Sequence, residues 1–172
     1  MLKIVDFASS TDYSCLVNVN EYVPITFRTQ RQPLGGARYI RMGNFENNLL
    51  ELIVSSDSMT LRGVTVTLVG EVGHNLMRGV DTGPTGLPVL ELPGGTEFTG
   101  PASARRANIG CNFSLATSED IAEISINENK DFDSRVSYGD VWFLIRNEEL
   151  VGIRFLNLDI ESISMIRSFN RV

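Results

Sequence analysis

One histidine, His74, is all the chain offers as a neutral-pH proton shuttle, and its two cysteines, Cys15 and Cys111, stand far apart without a CxxC partner. A zinc site needs more soft ligands than these. Ser-His-Asp and Cys-His catalysis would both have to use His74 as base, yet its surroundings, "VGEVGHNLMRG", hold no serine elbow. A structural or solvent-exposed histidine is the expectation. Neither GxxxxGKS/T nor GxGxxG occurs, and no helix start follows the glycines, so a glycine-loop phosphate cradle is excluded. No window approaches the roughly 18 apolar residues needed to cross a bilayer. The N-terminal "MLKIVDFASSTDYS" breaks its short apolar stretch at Asp6, unlike the core of a secretory signal. These absences predict a cytoplasmic protein without membrane, metal or cofactor, whose two cysteines stay as buried free thiols in a reducing compartment.

What is present is an ordinary globular composition, 42% hydrophobic and 21% charged over 172 residues, enough for one domain spanning 1–172 without a staple. The net charge of -6 repels phosphate backbones and anionic membranes and attracts basic partners, so direct nucleic-acid binding is not expected. A local cluster, Arg28, Arg31, Arg38 and Arg41, interrupts the acidity. Without a Lys/Arg-rich run or aromatic stacking pattern beside it, the cluster is expected to be a solvated strand-and-turn face. The segment "SEDIAEISINENKDFDS" sets Glu119, Asp120, Glu123, Glu128, Asp131 and Asp133 against Lys130 alone. Two readings stand: a charged edge that discourages strand pairing, and a docking surface whose charge speeds encounter with a basic protein and sets register.

The dominant period is two. In "LRGVTVTLVGEV", Val64, Val66 and Leu68 alternate with Thr65, Thr67 and Val69, which separates an apolar from a polar strand face. With the preceding "FENNLLELIVSSDSMT" this predicts an antiparallel hairpin, Phe45 to Val54 with Met59 to Val69. A second hairpin is expected at Val141 to Ile145 and Leu150 to Leu156; apolar residues on both faces mark central strands. Further strands are expected at Leu2 to Phe7, Cys15 to Val19, Ala37 to Met42, Ile121 to Ile126 and Arg135 to Tyr138. "DIESISMIRSF" fits either helix or strand, and Thr117 to Glu123 is the best helix start, because Ser118 can cap an acidic first turn. The expected fold class is mainly β, or α+β: an antiparallel sheet or β-sandwich with one or two short helices and a long Gly/Pro-rich loop.

That loop is "GVDTGPTGLPVLELPGGTEFTGP", Gly79 to Pro101, with four of the six prolines. Regular structure in it should be brief, and an irregular loop of this length is usually functional or mobile. Its Asp81-Thr82-Gly83 is the tripeptide of aspartic proteases, and the later Leu150-Val151-Gly152 resembles the apolar-apolar-Gly pattern of the retroviral type. Such an enzyme would pair two copies of Asp81 to share one proton and activate a water. Pro84 stands where a small residue belongs, and Arg78 and Gly79 stand where an apolar strand should lead in. The protease is therefore the alternative, and turn chemistry the first reading.

Two stretches, "RYIRMGNFENNLLELIVSSDSMTLRGVTVTLVG" and "VWFLIRNEELVGIRFLNL", together about a third of the chain, resemble small bacterial immunity proteins paired with polymorphic toxins such as those of contact-dependent growth inhibition. The resemblance implies a cytoplasmic, non-catalytic protein that neutralises a cognate toxin domain, often a basic nuclease, by covering its active site. Such families share no residue set, so it places no binding residue. From the residues themselves, contacts are expected at Glu119, Asp120, Glu123, Glu128, Asp131 and Asp133, and in the loop at Glu91, Glu97 and Phe98, the last as an apolar anchor. A structural subunit of a larger assembly is the third reading.

Overall fold

The computed structural model describes residues 1–9, 14–30, 36–70 and 72–169. In chain order the strands are β1 (Lys3–Ala8), β2 (Cys15–Asn18), β3 (Ile25–Thr29), β4 (Ala37–Gly43), β5 (Leu49–Ser55), β6 (Leu61–Leu68), β7 (Val72–Gly73) and β8 (Arg78–Gly79). They continue with β9 (Leu87–Glu91), β10 (Arg106–Gly110), β11 (Phe113–Thr117), β12 (Ala122–Ile126), β13 (Asp131–Phe132), β14 (Ser134–Tyr138), β15 (Val141–Arg146) and β16 (Glu149–Phe155). One α-helix, α1 (Ile160–Ser168), closes the described chain, and a 3-10 turn spans Ala102–Ala104.

The strands form two main sheets. The larger runs β14-β15-β16-β12-β11-β7, with β1 joining it against β16 and carrying β9; the smaller runs β10-β4-β5-β6-β3-β2. One continuous core fills the space between them. Ile40, Leu52, Val64 and Phe27 of the smaller sheet meet Leu115, Ile124, Ile153 and Phe143 of the larger, all fully buried. Phe27 sits edge-on to Tyr138 and Phe143, with ring centroids 6.3 and 6.1 Å away, an arrangement that ring quadrupoles favour. The molecule is a two-sheet β-sandwich. Both expected hairpins form, β5 with β6 and β15 with β16.

The central strands of the larger sheet are apolar on both faces because each face is covered. Beneath lies the main core; above, Met77, Phe132, Leu144 and Val151 form a second cluster flanked by Trp142. The cover is the segment from β7 to β8, tied at one end to β11 and at the other to β13 by short parallel pairings. Gly152 admits this packing, since a Cβ there would overlap the Met77 methyl group and the Ile124 carbonyl oxygen.

Three expectations are corrected. Thr117 to Glu123 is not a helix: Thr117 ends β11, Ala122 begins β12, and the Ser118 N–H donates to the Ile121 carbonyl at 2.9 Å in a tight turn. The capping residues suit a turn equally well, and ladder partners on both sides of β12 outweigh local propensity. Gly79 to Pro101 is not one exposed loop, because Leu87–Glu91 forms β9 against β1, with Leu87 and Leu90 buried. Pro88 is tolerated on this strand, whose other side makes only an isolated bridge, Thr60 to Val89. The first hairpin begins at Leu49, not Phe45: the Asn44 side-chain oxygen accepts from the N–H groups of Glu46, Asn47 and Asn48, turning the chain before β5. "DIESISMIRSF" resolves as α1, with Ile163 and Ile166 buried on one face and Asp159 as cap, accepting from the Ser162 N–H at 2.7 Å.

Candidate functional site

The acidic run from Ser118 to Ser134 is divided by the fold. Because β12 lies inside it, Glu119 and Asp120 fall at one end of the larger sheet and Glu128, Asp131 and Asp133 at the other, roughly 17 Å of strand apart. Glu123, between them, is no surface residue. It is 1% exposed, and burial pushes its carboxyl above the usual carboxylate range against the opposing pull of the Met77 N–H and Arg154. Arg154 Nε and Nη2 donate to Glu123 Oε2 at 2.7 and 2.6 Å. Both backbone polar groups of Met77 are held here: its N–H donates to Glu123 Oε1 at 2.5 Å and its carbonyl accepts from Arg154 Nη2 at 2.8 Å. Glu123 therefore fastens the covering segment, and its expected place in a docking surface is withdrawn.

The stack continues outward. The Arg154 guanidinium lies 5.3 Å from the Phe132 ring centroid and 5.6 Å from that of Trp142, whose ring is also approached at 4.3 Å by Arg135. Arg135 Nε in turn donates to Asp81 Oδ1 at 2.6 Å. The Asp-Thr-Gly tripeptide is thus edge cover for β14. The Arg135 N–H donates to the Thr82 carbonyl, the Ser137 N–H to that of Pro84, and a Cβ on Gly83 would overlap the Arg135 carbonyl. Asp81 engages a guanidinium, the opposite of two carboxylates sharing a proton. Leu150-Val151-Gly152 lies on β16, two strands from Arg135, so the two halves of the protease pattern are not brought together.

The far end carries Glu128, Asp131 and Asp133, all exposed but partly compensated. Asp131 pairs with Arg146 at 2.6 Å, and Asp133 accepts from the Asn147 N–H at 3.0 Å. A cleft of about 980 Å³ opens beside them, walled by His74–Arg78 and Glu128–Asp131 and floored by Ser114 and Ser125. His74 is exposed, as expected, and Ser125 Oγ is committed to donating to the Asn129 carbonyl at 2.6 Å. No group of metal-ligating side chains assembles among the described residues.

At the near end three turns and a helix start converge. The Leu158 N–H donates to the Asp120 carbonyl at 2.9 Å, the Leu156 N–H to that of Asp140 at 2.8 Å, and Asn157 Nδ2 to Asp140 Oδ1 at 2.8 Å. These bonds gather Glu119, Asp120, Asp140, Asp159 and Glu161, all exposed. None of the five enters an ion pair among the described residues. Beside them Ile160 is 79% exposed, a large apolar side chain on a polar end. The Ser162 N–H holds the Asp159 carboxyl below the usual range.

The remaining expected contacts are scattered. Glu91 and Glu97 are exposed on and after β9, whereas Phe98 is half-buried against the core with the Arg38 guanidinium 5.1 Å over its ring, so Phe98 is no free anchor. Of the arginine cluster, Arg28, Arg38 and Arg41 lie on β3 and β4, and Arg31 lies outside the described residues. Cys15 and Cys111 are free and half-buried, and burial raises both thiols above their ordinary value.

Sequence reasoning missed Asp140, Asp159, Glu161 and Ile160. The available signal was parity: in an up-and-down sheet the turns at 118–121, 139–140 and 156–159 fall at one end once the strand order is known. The chain matches no protein-family model and no curated protein. No helix among the described residues is long and apolar enough to cross a membrane.

Proposed function

We propose that the protein is a non-catalytic, cytoplasmic inhibitor of the immunity type, which binds a cognate basic toxin domain, such as a nuclease, and covers its active site. The carrying observation is the end of the larger sheet, where Glu119, Asp120, Asp140, Asp159 and Glu161 are exposed beside the exposed Ile160 and enter no ion pair among the described residues. Carboxylates on short turns of a packed sheet are held at little entropic cost, and such a field steers and registers a basic surface. Ile160 supplies the apolar contact at the centre, the role expected above of Phe98.

The test is co-expression with a basic toxin domain encoded beside the gene. The reading expects growth protection and co-purification by the unmodified chain, and loss of both in Glu119→Gln/Asp120→Asn/Glu161→Gln. Absence of protection, or equal protection by the triple variant, would overturn it.

A further inference from the structure

The strands of the smaller sheet carry five arginines, Arg28, Arg38, Arg41, Arg62 and Arg106, and one carboxylate, Glu51. None of the five enters an ion pair among the described residues. The four ion pairs among the described residues, Met1–Glu149, Arg135–Asp81, Arg146–Asp131 and Arg154–Glu123, belong to the larger sheet and its flanks. Arg38 alternates in step with the core-facing Ile40 and Met42 and lies over the Phe98 ring, and Arg62 stands at a register shift with its Nε donating to Ser55 Oγ at 3.2 Å, so Arg28, Arg41 and Arg106 are the cations of a basic face on a molecule of net charge -6.

Register sets the face out. One row crosses all six strands as Arg106, Tyr39, Ile53, Gly63, Arg28 and Leu16, with Arg41 beside Glu51 in the next. Ile40, Leu52, Val64 and Phe27 alternate with these residues and fill the core, so the rows point away from it. Arg28 is held in place. Gly63, lacking a side chain, lets the guanidinium lie across β6, where Nη1 donates to the carbonyls of Phe27 and Val64 at 2.9 and 3.0 Å and Nη2 to Thr65 Oγ1 at 2.8 Å. Glu51 lies near enough to favour the Arg28 charge but makes no ion pair with it among the described residues, so the burial of this half-buried cation is only partly offset, and an arriving anion meets a fork already oriented. Burial also draws its pKa down.

We propose that this face docks a second copy of the chain through that copy's acidic end, setting Glu119, Asp120, Asp140, Asp159 and Glu161 against Arg28, Arg41 and Arg106, and Ile160 against Tyr39 and Ile53. Both halves are on the chain itself. The arginines spread in two dimensions around an apolar centre with Glu51 among them, which suits carboxylates set around an apolar side chain better than the continuous charge of a phosphate backbone. Repulsion between two net-negative molecules is screened beyond about 8 Å at physiological salt, so the contact itself decides. The contact is heterologous: each copy keeps one free face and one free end, and assembly grows into rings or chains. The acidic end is shared with the proposed inhibitory contact, so a basic partner displaces the second copy. Self-association is measured with no toxin present, and its outcome stands apart from that reading.

Sedimentation velocity tests it with three samples: the unmodified chain, Arg41→Gln/Arg106→Gln, and Glu119→Gln/Asp120→Asn/Glu161→Gln, each with an unchanged circular dichroism spectrum. The unmodified chain is expected to associate as its concentration rises toward about 1 mM, the range of a weak contact, and each variant alone to remain monomeric. An equimolar mixture of the two variants is expected to stop at a one-to-one pair, since only one intact face and one intact end are left. Should the double variant misfold, the exposed Arg106→Gln alone is expected to weaken association roughly two- to fivefold. An unmodified chain that stays monomeric throughout overturns the proposal, as does a mixture that forms no pair. So does a face that binds polyglutamate or an oligonucleotide while the chain stays monomeric.

Discussion

Replacing Arg154 by methionine keeps much of the apolar stem and removes the guanidinium that holds Glu123 and the Met77 carbonyl. Glu123, 1% exposed, is then left with the Met77 N–H as its one hydrogen bond. Breaking a buried pair on one side costs about 3–5 kcal/mol, whereas replacing both partners by apolar residues is often close to neutral. For a chain of this length a loss of 1 kcal/mol lowers Tm by about 2–4 °C, so Arg154→Met should fall by about 6–20 °C. Glu123→Leu should fall comparably by stranding Arg154, and the double variant should return to within about 2 kcal/mol of the unmodified protein. Urea and thermal unfolding of the four proteins form the cycle. The cost of Arg154→Met should also shrink in acid, where the stranded carboxyl is protonated and its burial becomes cheaper. A single-variant cost below about 1 kcal/mol, or additivity of the two substitutions, would refute the reasoning.

Other expectations follow from the same geometry. The folded-state pKa of Glu123 lies above its unfolded value, so its contribution is fully present below about pH 4.3 and is lost as pH rises through the folded pKa. Stability of the unmodified protein relative to Glu123→Gln should therefore decline with rising pH across that window, and a rising difference would contradict the burial argument. Gly152→Ala should cost about 1–3 kcal/mol in chemical unfolding, because its Cβ overlaps Met77 and the Ile124 carbonyl; an unchanged midpoint would show that the covering segment gives way freely. Asp159→Ala should lower Tm at neutral pH by removing the α1 cap. That difference should vanish as pH falls through the depressed folded pKa of Asp159, where the unmodified protein loses the same charge.

Much of the fold was legible in alternation. Val64, Val66 and their partners Leu50 and Leu52 point inward as the period of two requires, and the doubly apolar β15 and β16 lie between two apolar clusters. Local chemistry failed where tertiary pairing overrode it. Ser118 with its acidic neighbours satisfied the signature of a helix start and became a turn, and proline in Leu87–Glu91 hid a strand that carries the apolar Leu87, Val89 and Leu90. The candidate site was half legible. Sequence proximity grouped Glu119 with Glu123 and Asp133, whereas the sheet buries Glu123, sends Asp133 to the opposite end and brings Asp140, Asp159 and Glu161 to Glu119. Strand order carries that information, and no local pattern encodes it.

The proposed inhibitory contact meets its most direct test in the dissociation constant for a purified basic toxin domain encoded beside the gene, measured at low and high salt for the unmodified chain and for Glu119→Gln/Asp120→Asn/Glu161→Gln. The account predicts a tight complex that weakens with salt, and a triple variant that binds much less tightly with a shallower salt dependence, chiefly through slower association. Equal affinity and equal salt dependence for the two proteins would contradict it.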